Sequence, residues 1–368
     1  MLTIRQVAEM MNVSRQTIYA WMKSGKLEAV RTPGGRQRIP EDQLLMGDLV
    51  RSEGRQRRGS YEVADLSELE PMSSEEAGSK EKYWFAREDK HWYWEADGQE
   101  FLFKAGREGT GENWAEKVVC ELCRLLGLPH AEYDLAVYRG KKGVISPNFV
   151  SRGQSLILGN EILVRTVQGY VGVKRYHQRT HTLKAVRAVV SSRIVNAPIG
   201  WTASDNIDTA EDLFTGYLML DTWIGNTDRH HENWGLILEL ESESFHLAPT
   251  FDHASSLGRE LSDAVREERL ATKDKGRRIE KYIERARSAF YSGEQVGKPL
   301  YTIDAFKEAA GHRRSAAKSW MDRLGGIPQT ETKRIIDMVP QDEMSEIAKE
   351  FAQRILDINR ERLLSLVI

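Results

Sequence analysis

The sequence predicts an α+β protein with a bilobal body, preceded by a small all-α basic unit. Three observations carry that reading. Aromatic and β-branched runs separated by turns crowd residues 83–104, as in KYWFA, HWYWEA and EFLFKAG, which is a strand pattern. Beyond about residue 160 the apolar spacing turns mostly helical, broken by GLILELESESFHLAPTFD, which reads as a hairpin. Charge also changes abruptly: residues 1–58 hold 11 Lys/Arg against 6 Asp/Glu, and residues 59–82 hold 2 Lys against 7 acids. Strands with one helix, followed by a helical lobe, make a segregated α+β layout.

The boundaries follow from composition. Residues 1–50 form a helical unit, 51–80 a polar, flexible linker broken by Pro71, 81–160 a first lobe, and 161–368 a helical second lobe. Within the first lobe, Trp114, Val118, Leu122 and Leu125 recur at helical spacing and the run stops at Gly127, with Pro129 beyond. Residues 131–150 return to short strands, and EMSEIAKEFAQRILDINRERLLSLVI closes the second lobe as an amphipathic helix. At 40% hydrophobic and 29% charged, 368 residues suffice for a real core. No apolar run nears the roughly 18 residues that span a bilayer, and the start lacks a signal peptide's pattern, so a cytoplasmic protein without membrane contact is expected. The two cysteines, Cys120 and Cys123, exclude a disulfide framework and read as small core residues.

In the N-terminal unit, Ile4, Val7, Ala8 and Met11 form one apolar face. A turn around Asn12–Ser14 follows, with Ser14 as N-cap, and a second helix carries Ile18, Tyr19 and Met22 up to Gly25. That second helix presents Arg15, Gln16, Thr17 and Tyr19 outward, and a Pro33-Gly34-Gly35 turn carries Arg31, Arg36 and Arg38 as a basic wing. The set resembles the excisionase or MerR-type winged helix-turn-helix. The resemblance implies DNA binding through residues 1–50, by a homodimer.

The densest chemical signal is GNTDRHHENWG at 225–235, followed by HLAPTFDHASSL. Asp228 and Asn233 are spaced D-x-x-x-x-N, and Asp252 follows at the end of an apolar strand. Phosphoryl transfer needs a carboxylate that orients or deprotonates the acceptor hydroxyl, and hard oxygen ligands for Mg²⁺ on a triphosphate. A different chemistry is open to the same stretch, a metal-hydrolase centre built from Asp228, His230, His231, His253 and Asp252. The pattern N-x-D-x-H-x-x-N, then a hairpin and F-D, resembles the catalytic and metal-binding loops of HipA-like kinases. By that resemblance the fold is bilobal and protein-kinase-like, and ATP and Mg²⁺ are the cofactors. Asp228 is then the catalytic base, Asn233 and Asp252 hold the metal, His230 supports the loop and Asn226 positions it.

The other half of such a site is sought in the first lobe. Lys104 ends the strand EFLFK where a kinase needs a lysine on the phosphates, and Glu116 on the next helix is expected to pair with it. Adenine is expected between the lobes, near Phe149 and Val150. The family's glycine-containing loop ahead of the lysine has no counterpart directly before Lys104. KAGREGTGENW, with glycines at 106, 109 and 111, supplies amides near a helix N-terminus that suit phosphate. Residues 262–288 are charged and helical, either a solvated face or a basic surface for an anionic substrate. The expected activity is phosphorylation of protein Ser/Thr, in a toxin–antitoxin, phage-defence or transcription-regulatory role. A non-catalytic nucleotide sensor and a small-molecule kinase are the alternatives.

Overall fold

Strand-forming runs on both sides of the first helix assemble into one six-stranded sheet in the computed structural model. It describes residues 3, 30–31, 37–38, 59–74, 80–86, 100–173, 178–292 and 297–368. The chain divides into two units, 1–61 and 62–368. In the first, β1 (Val30–Arg31) pairs antiparallel with β2 (Gln37–Arg38), Val30 opposite Arg38. The unit therefore carries a two-stranded ribbon and is not all-α, the ladder between the strands pairing their backbone groups. Arg31 and Arg38 lie on the ribbon. The expected DNA-facing residues Arg15, Gln16, Thr17, Tyr19 and Arg36, and the run HWYWEA, lie outside the described residues.

The large sheet has the order β3-β7-β8-β6-β5-β4. Its strands are β3 (Val63–Asp65), β4 (Ser73–Ser74), β5 (Lys82–Ala86), β6 (Glu100–Ala105), β7 (Asp134–Tyr138) and β8 (Lys141–Pro147). Two of these strands come from the segment read as linker. The physical reason is Leu66, which is fully buried in the sheet's core beside Phe85, Phe103 and Ile145, while its N–H bonds the Val137 carbonyl at 2.8 Å. Few apolar residues suffice to dock a segment when one is completely buried. Arg139 and Gly140, both at positive φ, make the two-residue turn between β7 and β8, whose twist matches the hairpin.

Gly143 lies opposite Ala105 across β8 and β6. A Cβ built there would collide with the Lys104 carbonyl oxygen and approach the Phe103 ring to 2.9 Å. Gly143→Ala is therefore expected to cost about 1–3 kcal/mol through overpacking and to displace Lys104. Urea unfolding of the variant measures the first effect, and an unchanged midpoint would contradict it.

Helix α1 (Glu112–Leu126) packs on this sheet and ends at Gly127, φ 66°, in the left-handed cap that its position predicts. Its two thiols, Cys120 and Cys123, are free and buried. Beyond the 148–153 crossing, β9 (Gln154–Leu158) leaves the first lobe. It pairs with β11 (Gly235–Glu239) in a second sheet of order β10-β12-β11-β9, where β10 is Val195–Asn196 and β12 is Ser244–Leu247. The first lobe's sheet thus ends at Pro147, and β9, within the residues 81–160 expected to form that lobe, finds its ladder partner in the hairpin after the 225–235 motif.

The second lobe is helical: α2 (Gly159–Thr166), α3 (Leu183–Val190), α4 (Ala210–Ile224), α5 (Asp263–Ala271), α6 (Ile279–Glu284), α7 (Thr302–His312), α8 (Arg314–Gly326), α9 (Gln329–Asp337) and α10 (Glu346–Leu364). At its centre, every residue of α4 is buried, and α7, α8 and α10 surround it. A capping box between Thr209 and Asp212 starts the helix, and Gly225 at φ 67° stops it. Trp320 is wholly buried against it and Trp223 is a wholly buried residue of the helix itself, their N–H groups bonded to the Asp212 and Leu356 carbonyls at 2.9 and 3.2 Å. Rigidity at the end of α4 matters because the motif loop begins there. Among the described residues no helix is long and apolar enough to cross a membrane.

Candidate active site

The loop 226–234 is tied to the end of α4 by a buried ion pair. Arg229 grips Asp221 through Nε and a terminal nitrogen at 2.9 and 2.7 Å, and the two side chains are 1% and 4% exposed. Its other terminal nitrogen donates to the carbonyls of Asn233, at 3.0 Å, and Phe251, at 3.4 Å. One guanidinium therefore joins α4, the motif loop and the segment entering Asp252. Asn226 donates to Asp221 at 2.8 Å and accepts the Asp228 N–H at 3.0 Å. Asn226, which the motif had singled out, makes both bonds, whereas Arg229 and Asp221 were not singled out from the sequence. Two opposite charges eight residues apart look like ordinary surface groups until the fold buries them.

Asp228 and Asp252 are partly exposed at a common mouth, by 24% and 34%. Burial, followed by the Asp252 charge, raises the Asp228 carboxyl to about 6. Its Oδ2 accepts from the Ser255 hydroxyl at 3.4 Å, and the His230 ring nitrogen Nε2 stands 3.8 Å from Oδ1. His230 Nδ1 accepts the Glu232 N–H at 3.2 Å, which shapes the turn. The Asn233 amide donates to the Asp228 carbonyl at 2.7 Å, orienting the carboxamide with Oδ1 as its remaining acceptor.

Asp252 adopts φ 58°, a left-handed conformation that costs a non-glycine residue about 1–3 kcal/mol. Two first-lobe side chains hold it there: its N–H donates to Tyr133 Oη at 3.3 Å, and the next N–H, of His253, donates to Glu116 Oε2 at 2.8 Å. Lys104 Nζ lies 3.6 Å from Asp252 Oδ2 and 5.5 Å from the Tyr133 ring centre. Burial acts to raise the Asp252 carboxyl, but Lys104 and Lys80 overcome it and hold the group well below the usual carboxylate range.

The expected Lys104–Glu116 pair is thus replaced by a Lys104–Asp252 pair. Burial and the nearby Asp252 charge push Glu116 up to about 8, which favours its neutral form. The ammonium goes to the carboxylate that remains ionised. Glu116 instead anchors the backbone of the Asp252 segment, with its Oε1 buried and unpartnered.

In the glycine turn after Lys104, three amides are already used: Arg107 N–H on Glu112 Oε2, Thr110 N–H on the Arg107 carbonyl, and Gly111 N–H on the Arg259 carbonyl. Glu112 sits at the start of α1 as the turn's own anion, ringed by Lys80 at 2.8 Å, Arg107 at 3.1 Å and Arg259 at 3.1 Å. Lys80, just before β5, joins this cluster, and its charge acts on Asp252 as well.

Between the lobes, Phe149 packs 5.8 Å from Phe251, beside an apolar cluster of Ala131, Tyr133, Val144 and Ile237. The Val150 N–H is taken by the Asn148 side chain at 3.0 Å. Two of the three histidines of the alternative hydrolase centre face elsewhere, His231 toward Tyr170 at 2.7 Å and His253 toward Thr250 at 2.8 Å. Charges on α5 and α6 largely pair among themselves, as Lys281 with Glu284 at 2.8 Å and Arg277 with Glu268.

Residues 74–355 match the HipA-like C-terminal domain family. The chain belongs to the HipA-like family. Residues 1–46 of this HipA-like protein match a helix-turn-helix domain. The serine/threonine-protein kinase CtkA of Helicobacter pylori is 22% identical over 261 residues, covering 69% of this chain and 72% of that protein. The crystal structure of an H. pylori proinflammatory kinase CtkA shares the fold, with a TM-score of 0.60 at 20% identity, over 83% of this chain and 100% of that one. A Shewanella oneidensis complex of HipA, HipB and operator DNA aligns with a TM-score of 0.45 at 14% identity, over 98% of this chain and 84% of that one.

Proposed function

We propose that this HipA-like protein is an ATP- and Mg²⁺-dependent kinase acting on protein Ser/Thr hydroxyls, joined in cis to a DNA-binding unit. The observation that carries the reading is the shared mouth of Asp228 and Asp252, tied through Arg229 to Asn233, with the Lys104 ammonium 3.6 Å from Asp252. Asn233 Oδ1 and the Asp252 carboxylate form a hard oxygen set that suits Mg²⁺. When bound, the metal neutralises charge on the triphosphate. Lys104 would hold phosphate oxygens, and Phe149 with Phe251 would line the adenine side. Asp228 takes the proton of the acceptor hydroxyl, a task suited to a carboxylate whose basicity burial has raised.

Incubation with γ-labelled ATP and Mg²⁺ tests the reading. The wild type is expected to label itself or an added Ser/Thr protein, and Asp252→Ala to lose label and weaken Mg²⁺-dependent nucleotide binding together. ATP binding without any label from the wild type would identify a nucleotide sensor instead.

For the N-terminal half, residues 1–50 would bind DNA as a homodimer through Arg15, Gln16, Thr17, Tyr19 and the wing arginines Arg31, Arg36 and Arg38. That arrangement suits a toxin–antitoxin, phage-defence or transcription-regulatory role. A salt-dependent shift of operator-containing DNA by the full chain, absent for residues 62–368, is the expected result. Equal shifts by both would sink the assignment.

A further inference from the structure

Away from the mouth, three side chains of different chemistry converge where α1 gives way to β7. One ligand atom from each of Cys120, His130 and Glu132 lies within 4.8 Å of the other two. Cys120 Sγ is 3.7 Å from Glu132 Oε2, and His130 Nε2 is 3.8 Å from Glu132 Oε1. Nothing in the phosphotransfer reading uses this cluster.

The histidine is the pointed observation. Its Nδ1 is 2.6 Å from the Leu128 carbonyl, so Nδ1 carries the proton and donates, leaving a lone pair on Nε2. That nitrogen is buried without a hydrogen-bond partner, on a side chain only 10% exposed, and it faces the other two groups. A buried acceptor is rarely left unsatisfied unless something else takes its lone pair.

Each of the three groups also has the outer support that metal ligands carry. For His130 it is the Leu128 carbonyl. Cys120 Sγ accepts the Tyr133 N–H at 3.4 Å. Arg124 grips Glu132 in a fork, at 3.2 Å to Oε1 and 2.6 Å to Oε2.

We propose that Cys120, His130 and Glu132 bind a zinc ion. Thiolate, imidazole and carboxylate are the ligand types of tetrahedral zinc, and a water would fill the fourth position. Mg²⁺, which prefers an all-oxygen shell, is discriminated against. On binding, a zinc–sulfur bond forms and the thiol proton passes to solvent.

The ion would sit where the lobes are stitched. Ala131 N–H donates to the Thr250 carbonyl and Thr250 N–H to the Pro129 carbonyl, both at 2.9 Å, two residues before Asp252. Zinc would therefore stiffen the segment carrying Asp252 together with the end of the helix carrying Glu116.

The test uses the full chain, stripped with a chelator, dialysed and titrated with Zn²⁺ in excess Mg²⁺. A single equivalent is expected to remain bound, and Co²⁺ in its place is expected to give a thiolate-to-cobalt charge-transfer band. The chain holds two cysteines, so the band has only two possible sources. Cys120→Ser must abolish it and His130→Gln must weaken zinc binding at least tenfold, whereas Cys123→Ser must retain both. Metal at the Asp228–Asp252 mouth gives no such band, so failure of the kinase reading leaves this result untouched. Zinc should raise the melting temperature of the wild type and not of Cys120→Ser. If that variant does not fold, Glu132→Gln, at a more exposed ligand, must fold and lose zinc. No retained zinc in the wild type, or a band that survives Cys120→Ser, overturns the proposal.

Discussion

Asp228→Asn is expected to remove phosphotransfer, lowering kcat by about 10²–10⁴-fold, and at the same time to make the protein more stable at neutral pH. The two effects have one cause. The folded environment raises the Asp228 carboxyl from its usual 3.8 to about 6, through burial and then the Asp252 charge. Between those values the native state holds a proton that the unfolded chain has released. Stability of the metal- and nucleotide-free wild type therefore falls as pH rises through that window, and levels off above about 6. Each unit is worth about 1.4 kcal/mol, so the whole window is bounded at roughly 3 kcal/mol. The asparagine variant escapes this cost. Its stability advantage should be absent below the usual carboxylate value, grow across the window and stay constant above it. Urea unfolding at stepped pH reads the difference. A variant that is inactive and also less stable at neutral pH would mark Asp228 as a structural carboxylate. The pattern expected here is the one found where a fold holds a destabilising group for chemistry.

The second large effect is expected at Arg229. Arg229→Met leaves Asp221 buried with its main cationic partner gone, and breaking one side of such a pair costs about 3–5 kcal/mol. It also frees the Asn233 and Phe251 carbonyls from the guanidinium that joins them. Phosphotransfer should fall with stability. The double variant Asp221→Leu/Arg229→Met separates the two consequences. Removing both charges restores much of the stability, because a buried ion pair and an apolar pair of similar volume are often close in free energy. Activity should stay low, since the guanidinium that joins the Asn233 and Phe251 carbonyls to α4 is then gone. A loss below about 1 kcal/mol in the single variant would mean that Arg229 is not a keystone of the loop.

The motif residues were legible because their chemistry is local. D-x-x-x-x-N and F-D name a carboxylate, a carboxamide and a second carboxylate, and the hairpin between them follows from two short apolar runs with a polar tip. Lys104 was legible as the end of an alternating strand. Gly127 was legible as the stop after a helical run, and it adopts the left-handed cap.

What the sequence hid are partnerships made across the fold. Glu116 was expected on Lys104 and instead holds the His253 N–H, because burial favours its neutral form. The glycine turn was expected to cradle phosphate, yet Glu112 already fills the anion's place there. β3 looked like linker, since a three-residue strand has no periodicity of its own, and β9 fell within the bounds of the first lobe, although its ladder partner lies 77 residues on, at Gly235 opposite Leu158.

By itself, then, the sequence determined the bilobal α+β body, the basic winged unit before it and the residue types of the 225–235 loop. Periodicity and residue chemistry are local properties that a linear reading can see. Only the tertiary structure decided who pairs with whom: Lys104 with Asp252, Glu116 with the segment behind it, and Arg229 with Asp221. Those choices depend on which charges the fold removes from water and how near it brings them, and neither quantity is written in the order of the residues.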